Sequence, residues 1–314
     1  MDASVAAPSS VRPLAVIAGL GPGPNGDRTR SELEHALDRR SLAFRLHLVA
    51  SANEATRCAT EALERGERFI VAVGDDRLVQ GVVNGMFREG STIVPDPILG
   101  VVAAGTENDL LRTFNLPSDL DRAVEHLDGD VVYPFDVMKI TCRDHDGTDR
   151  TRYAHNLAQA GLGAEVSLRA HRMPRVLGDR GRAFLGFWSA YLRTRPAEVR
   201  AAIDTKSWTG RAFQVIVGNA QFASGLRLSP RSWPGDGVLD ALVFTGPTSD
   251  AYTMMPRIMR QGDHVPDPAI REFRAKIRIA IDADRPLPVV ADGVALGTTP
   301  ATFQLVPQQI LLKI

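Results

Sequence analysis

The chain has 314 residues, enough for two domains that each bury a sizeable core. It carries 37 basic and 37 acidic side chains, so its net charge does not favour nucleic acid or an anionic membrane as a partner of the whole molecule. Its two cysteines, Cys58 and Cys142, lack metal-ligand spacing and fit a reduced cytoplasmic protein better than a disulfide scaffold.

The sequence shows no targeting or membrane-spanning segment. It has no charged start followed by an apolar stretch, and no run of about 18 apolar residues occurs. We therefore expect a soluble, cytoplasmic protein, with peripheral membrane contact left open. Arginines concentrate in residues 169–200, which we interpret as a solvated helix face, with a basic patch as the alternative.

The first 130 residues alternate short apolar runs with helical patterns. The runs that indicate buried strands are residues 14–18, 44–49, 69–73 and 97–102. The segments with helical spacing include residues 31–39 and 52–65. This alternation predicts a Rossmann-like, phosphofructokinase-like α/β domain.

The pattern changes after residue 131. Short alternating strands are predicted at residues 137–142, 152–156, 211–218 and 239–244, separated by turn clusters. Residues 188–200 are predicted to form a helical excursion. The second half therefore favours an antiparallel β-sandwich, so that the fold class is α/β plus β.

The stretch FIVAVGDDRLVQGVVNGM, residues 69–86, joins a buried strand to a helix through an acidic turn. That geometry is typical of a phosphate or nucleotide site at the carboxyl edge of an α/β sheet. A dinucleotide fingerprint after the first strand is not supported, because Pro24 stands where its third glycine would be.

The same stretch resembles the nucleotide-binding segment of the diacylglycerol kinase and sphingosine kinase family, whose signature is GGDGT followed by a helix often ending in VVNG. Gly74 and Asp76 match the signature. Asp75, Arg77 and Leu78 stand where the family has Gly, Gly and Thr.

A second motif of the family follows the next strand. Gly105, Thr106, Asn108 and Asp109 are retained, while Ala103 replaces the usual proline. The resemblance implies that these four residues, together with the turn formed by Gly74, Asp75 and Arg77, are the cofactor-binding residues. The first-strand loop departs from the family, because it lacks the Asn-Pro pair of the Asn-Pro-x-Ser-Gly loop.

Later motifs extend the resemblance to residues 14–314. Asp136 lies where the lipid kinases have an aspartate at the domain junction, and His155 precedes an asparagine that the family also has. Asp236 and Asp240 belong to an Asp-Gly-x-Leu-Asp stretch that contributes to a magnesium and water network in the family. If that network persists, the metal ligands are Asp136, Asp236 and Asp240.

The resemblance also implies the domain limits. We expect an α/β domain over residues 1–132, completed by a returning segment at 303–314, and a substrate domain over residues 133–302. It suggests a homodimer as well.

Two substitutions argue against ordinary kinase chemistry. A carboxylate at Asp75 would repel phosphates by up to roughly 4 kcal/mol at about 4 Å. In the Asp-Gly-Glu motif of the family, Val294 replaces the glutamate that activates the acceptor hydroxyl. The leading hypothesis is therefore an enzyme that has lost ATP phosphotransfer and converts a lipophilic small molecule in an interdomain cleft, without a cofactor, using Asp76, Asp236 and His155 for acid/base chemistry.

Two other functions stay open. One is a lipid-alcohol kinase that requires ATP and Mg²⁺, and the other is a non-catalytic binding homologue. The candidate residues also have ordinary structural interpretations: Asp76 as a helix N-cap, Asp236 and Asp240 as turn residues, and His155 as a structural histidine.

Overall fold

The computed structural model describes residues 5–6, 13–104, 108–144, 146–260 and 262–314. The chain forms two compact units. Unit 1 consists of residues 1–137, 234–236 and 306–314, and unit 2 consists of residues 138–233 and 237–305.

The elements before the junction between the units begin with a two-residue strand. In chain order they are β1 (Val5–Ala6), β2 (Leu14–Ala18), α1 (Pro24–Arg39), β3 (Phe44–Leu48), α2 (Ala52–Glu64), β4 (Phe69–Val73), α3 (Asp76–Met86), β5 (Phe87–Arg88), β6 (Ser91–Thr92), β7 (Ile98–Val102), α4 (Asp109–Thr113), α5 (Leu120–Ala123) and α6 (Glu125–Asp128).

Strands dominate the rest of the chain. The remaining elements are β8 (Val131–Arg143), β9 (Asp149–Ala154), β10 (Leu157–Gly161), α7 (Leu162–Arg172), a 3₁₀ turn (Arg175–Leu177), α8 (Gly178–Tyr191), β11 (Ala197–Ile203), β12 (Lys206–Gly218), β13 (Phe222–Ala223), β14 (Leu226–Arg227), β15 (Leu239–Thr245), α9 (Ser249–Met259), β16 (Ile270–Ala275), β17 (Arg278–Ala283), β18 (Pro288–Ala291) and β19 (Val294–Lys313).

Unit 1 contains a parallel sheet in the order β19, β7, β4, β2, β3, to which β19 contributes its last residues. Because β2, β4 and β7 run in register, with Ala18 opposite Val73 and Val73 opposite Val102, the loops that follow them meet at one edge. The chain passes from β2 to its neighbour β3 on one side and from β4 to its neighbour β7 on the other, so the two connections run in opposite directions along the sheet. The predicted α/β class is confirmed, and ligands of such sheets bind at this kind of edge.

Helices α2 and α3 pack with almost no space between their backbones. A Cβ atom built on Gly81 would lie 2.5 Å from the carbonyl oxygen of Ala52, and one built on Gly85 would lie 2.3 Å from that of Thr56. The hydroxyls of Thr56 and Thr60 donate hydrogen bonds to the carbonyl oxygens of Gly81 and Gly85 at 2.8 and 2.9 Å. Gly81 and Gly85, the latter being the glycine of the VVNG stretch, are therefore required by helix packing.

Unit 2 surrounds its own core with antiparallel strands, as the sequence predicted for a β-sandwich. The strand β12 pairs with β10, β11 and β15, and β17 pairs with β11 and β19. Apolar side chains of these strands, such as Val199, Val215 and Phe303, form one buried cluster.

The predicted helix over residues 188–200 is wrong in its second half. Helix α8 ends at Tyr191, and residues 197–203 form β11, whose side chains alternate between buried and exposed. Pro196 separates the two segments, and the period of two in AEVRAAI is that of a half-buried strand. No helix among the described residues is long and apolar enough to cross a membrane.

His126, on α6, lies close to the C-terminal end of β19. Burial lowers the pKa of His126 from its ordinary 6.5 to about 4, and the positive charge of Lys313 adds to this effect. The ammonium of Lys313 is itself buried and donates to the carbonyl oxygen of Gly129. A neutral imidazole is therefore part of the folded state of unit 1 at neutral pH.

We expect Gly85→Ala to lower the free energy of unfolding by about 1–3 kcal/mol, because the added methyl group meets the backbone of α2. Chemical denaturation measures the change. Gly129→Ala is the matched control, since only one atom, at 3.8 Å, lies near its added Cβ and its φ of −70° suits alanine. Equal stability of the two variants would contradict the close packing.

We expect acid to destabilise the protein partly through His126. The folded pKa is lower than the unfolded one, so the stabilisation is complete above about pH 6.5 and is lost as the pH falls toward about 4. Between these values His126→Gln should lose on the order of 2–3 kcal/mol less stability than the wild type. The exposed His35 provides the control His35→Gln, and an unchanged pH profile in His126→Gln would contradict this interpretation.

Candidate functional site

The candidate site in unit 1 is the sheet edge where β2, β4 and β7 end. The amide of Gly19 donates to the carbonyl oxygen of Val73, and the amide of Gly74 donates to that of Val102. Three helices begin just beyond this edge: α1, α3 and α4. Their N-termini carry the positive ends of helix dipoles, which favour the binding of anions.

The N-terminus of α3 is occupied by a side chain of the protein. Asp75 is the N-cap, and its Oδ1 accepts a hydrogen bond from the amide of Leu78 at 3.1 Å. The N-cap role that we considered for Asp76 is therefore wrong, because it belongs to Asp75. The carboxylate of Asp75 faces the positive end of the helix dipole, which offsets part of the negative charge of this side chain.

Asp76 connects two loops of the site. Its two carboxylate oxygens lie 3.0 and 3.2 Å from the amide nitrogen of Asp109, which donates to them. Asn108 adds a second connection, since its Nδ2 donates to the carbonyl oxygen of Gly74 at 3.3 Å and its Oδ1 accepts from the amide of Leu111. Asp76, Asn108 and Asp109 thus form one hydrogen-bonded cluster, which we call the Asp76–Asp109 lock.

Leu78 fills the space between the ends of β2 and β4. The side chain is buried, and Cβ atoms built on Gly19 and Gly74 would lie 2.9 and 3.0 Å from its methyl groups. Arg77, in contrast, is exposed at the start of α3. The two substitutions therefore have different effects: Leu78 fills the space beside Gly19 and Gly74, whereas Arg77 adds a positive charge at the surface.

The N-terminus of α1, unlike that of α3, has no side-chain cap. The N-cap of α1 is Gly23, with φ of 96°. Pro24 occupies the first turn, and a Cβ atom on Gly26 would lie 1.7 Å from the carbonyl oxygen of Gly21, so only glycine fits there. The sequence analysis did not predict this uncapped N-terminus, because the loop matches neither the dinucleotide fingerprint nor the Asn-Pro-x-Ser-Gly pattern. The available signal was a Gly-Pro start without Ser, Thr, Asp or Asn at the cap.

The chemistry of these donors fits a polyphosphate at α1 better than at α3. The first turn of α1 presents amides of Asn25 and Gly26 in a 16-residue helix, and glycine lets the backbone approach an anion closely. The predicted binding residues Gly105 and Thr106 lie outside the described residues.

The three predicted metal ligands have other contacts. Asp136 is fully buried and accepts from the amide of Gln308 at 3.0 Å, while Asp240 lies 3.1 Å from Nε of Arg274. Asp236 is exposed. Within the described ranges, no group of three His, Cys, Asp or Glu side chains is arranged to hold a metal. Mg²⁺ is commonly held by one or two carboxylates, waters and the phosphates of its substrate, so such a group is not required.

His155 belongs to a buried pair in unit 2. Its Nδ1 lies 2.9 Å from Oδ2 of Asp292, and both side chains have no exposed surface. The carboxylate of Asp292 also accepts from the amides of His155, Asn156 and Leu157 at 2.8 to 3.2 Å. The pair fastens the start of β10 to the turn between β18 and β19, which is the turn that precedes Val294.

Comparison with known families identifies the class of protein to which this fold and this sheet edge belong. Residues 14–140 match the family described as diacylglycerol kinase catalytic domain, and residues 156–313 match the family described as YegS C-terminal NAD kinase beta sandwich-like domain. The chain belongs to the bacterial lipid kinase family.

Curated relatives carry kinase names. The chain is 26% identical over 266 residues to a Bacillus subtilis protein named diacylglycerol kinase, covering 82% of this chain and 81% of the relative. It is 24% identical to a Stenotrophomonas maltophilia protein named probable lipid kinase YegS-like, covering 83% of each.

Solved structures show the same fold. A Bacillus anthracis protein assigned as a diacylglycerol kinase superposes with a TM-score of 0.76 at 22% identity over 96% of each chain. Yeast NADH kinase complexed with NADH superposes with a TM-score of 0.54 at 10% identity, over 97% of this chain and 84% of the other.

Proposed function

We propose that the protein is a kinase that uses ATP and Mg²⁺ to phosphorylate the hydroxyl group of a lipid alcohol. The observation that carries this proposal is the Asp76–Asp109 lock, present in a chain that matches both domains of a lipid kinase family. The kinase names of the relatives favour this function over the conversion without nucleotide that the substitutions suggested.

The substitution at Asp75 does not close the whole sheet edge to phosphates. Its carboxylate caps α3, and the uncapped N-terminus of α1 offers a second place for a polyphosphate on the neighbouring strand. In this proposal the amides of Asn25 and Gly26 would hold phosphate oxygens, and Arg77 would add positive charge. The lock keeps the end of β4 against the loop after β7.

Loss of the glutamate at Val294 lowers the rate without removing the reaction. When bound, ATP would supply the phosphoryl group, and its Mg²⁺ would neutralise negative charge on the phosphates. Such transfer has a loose transition state, so positioning and electrostatics contribute most of the catalysis. A general base contributes about 10²–10⁴-fold. We therefore propose a slow kinase.

The three predicted catalytic residues take different parts in this proposal. Asp76 positions the loops of unit 1 through the lock, and His155 positions the turn before Val294 through Asp292. Asp236 is exposed and stays a candidate for contact with Mg²⁺ or a proton.

We expect Asp75→Ser to bind Mg-ATP about 10-fold more tightly than the wild type, because serine keeps the helix cap but removes the negative charge. Isothermal titration calorimetry measures the affinity. Asp119→Ser is the matched control, since Asp119 caps α5 in the same way, and Asp121 of that helix pairs with Arg39 at the far end of α1.

Two results would contradict this. Equal affinity of Asp75→Ser and the wild type would show that the turn does not face the phosphates. Absence of Mg-ATP binding in both proteins would reject the kinase proposal and would favour conversion of a lipophilic molecule without nucleotide.

We expect Val294→Glu to raise kcat for phosphate transfer to diacylglycerol by about 10–100-fold, because it restores a base at the motif. Transfer from labelled ATP to diacylglycerol in detergent micelles measures the rate. Val294→Gln has the same shape without basicity and should remain at the wild-type rate. Equal rates of the two variants, with unchanged melting temperatures, would contradict the role assigned to position 294.

A further inference from the structure

The exposed apolar surface of the protein is concentrated in one region of unit 2. Ten large hydrophobic side chains are exposed among the described residues, and seven of them belong to the 3₁₀ turn, to α8 with the residue after it, and to α9. The other three, Leu48, Val131 and Ile277, are scattered over separate strands and turns. Scattered apolar residues are normal, whereas a cluster marks an interaction site.

The cluster forms a continuous stripe along α8. Phe184, Trp188 and Leu192 follow at intervals of four residues, so they share one face of the helix. The rings of Phe184 and Trp188 lie 6.3 Å apart, and the ring of Trp188 lies 5.7 Å from that of Tyr252 on α9. Phe184 is 61% exposed, Leu192 76% and Tyr252 56%. We call this stripe, with Leu185, the α8 face.

The α8 face is held outward by α7, which packs behind it. A Cβ atom on the buried Gly186 would lie 2.9 Å from the backbone nitrogen of Ala170, so the two helices touch closely. Arg182 donates to the carbonyl oxygens of Ala170 and His171, which fastens the hairpin further. The exposed aromatic residues of α8 therefore lie on a helix that is packed closely against α7.

The same hairpin is strongly basic. Residues 162–195 contain seven arginines and two acidic residues, which gives a net charge of +5, while the whole chain has a net charge of zero. Arg172, Arg193 and Arg195 are exposed. The basic stretch therefore carries an apolar stripe, which a purely solvated helix face would not need.

We propose that the α8 face docks on the surface of an anionic lipid bilayer. Aromatic and leucine side chains enter the headgroup region, and nearby arginines remain at the interface with anionic headgroups. A second copy of the chain is a poorer partner, because two hairpins of the same positive charge would repel each other across the interface. Docking is independent of the proposed kinase activity, since it needs no nucleotide.

The test is co-sedimentation of the full chain, without nucleotide, with vesicles of phosphatidylcholine alone or mixed with phosphatidylglycerol. We expect the wild type to bind the mixed vesicles at least about 10-fold better, and raised salt to weaken that binding. Phe184→Ser with Leu192→Ser, and separately Arg172→Glu with Arg195→Glu, should each reduce binding about 10-fold.

Leu48→Ser with Ile277→Ser is the matched control, because these side chains are 51% and 63% exposed elsewhere. It should bind like the wild type, and all variants should keep the wild-type melting temperature. Failure of the wild type to bind mixed vesicles, or wild-type binding by the Phe184→Ser, Leu192→Ser variant, would overturn the proposal. So would a dimer seen by sedimentation velocity that this variant alone dissociates, since a second copy would then cover the face.

Discussion

The hydrogen bonds from the amide of Asp109 to the carboxylate of Asp76 connect the loops after β4 and β7 at the candidate site of unit 1. They can form only because β4 and β7 are parallel neighbours in register, which brings the residues after the two strands together. Asn108 completes the contact from the other side through Gly74. Asp75, Arg77 and Leu78, which differ from the family signature, adjoin Asp76, whose contact with Asp109 is present in this chain.

Much of the fold could be predicted from sequence because its signals are local. Uninterrupted apolar runs located β2, β4 and β7, and alternation located several strands of unit 2. Residues 188–200 failed because a helix and a half-buried strand adjoin there, separated by Pro196. The site was harder, because the contact between Asp76 and Asp109 spans 33 residues and depends on strand order. Two adjacent aspartates also gave no local indication that Asp75 would be the cap.

The divergent residues have distinct physical consequences. Asp75 and Leu78 close the terminus of α3, one by capping it and the other by filling the space beside Gly19 and Gly74. The Gly-rich start of α1 remains uncapped on the adjacent strand. The turn before Val294 is fastened by Asp292, so its shape does not depend on a glutamate at that position.

Hydrogen exchange of the backbone amides, with and without a non-hydrolysable Mg-ATP analogue, tests most directly the proposed phosphate site at α1. We expect the analogue to slow exchange at Asn25 and Gly26, whose helix terminus has no side-chain cap. The amide of Leu78 should change little, because the carboxylate of Asp75 already accepts its hydrogen bond. Protection concentrated on residues 76–78, with none at residues 25–26, would contradict the assignment of the phosphate site to α1.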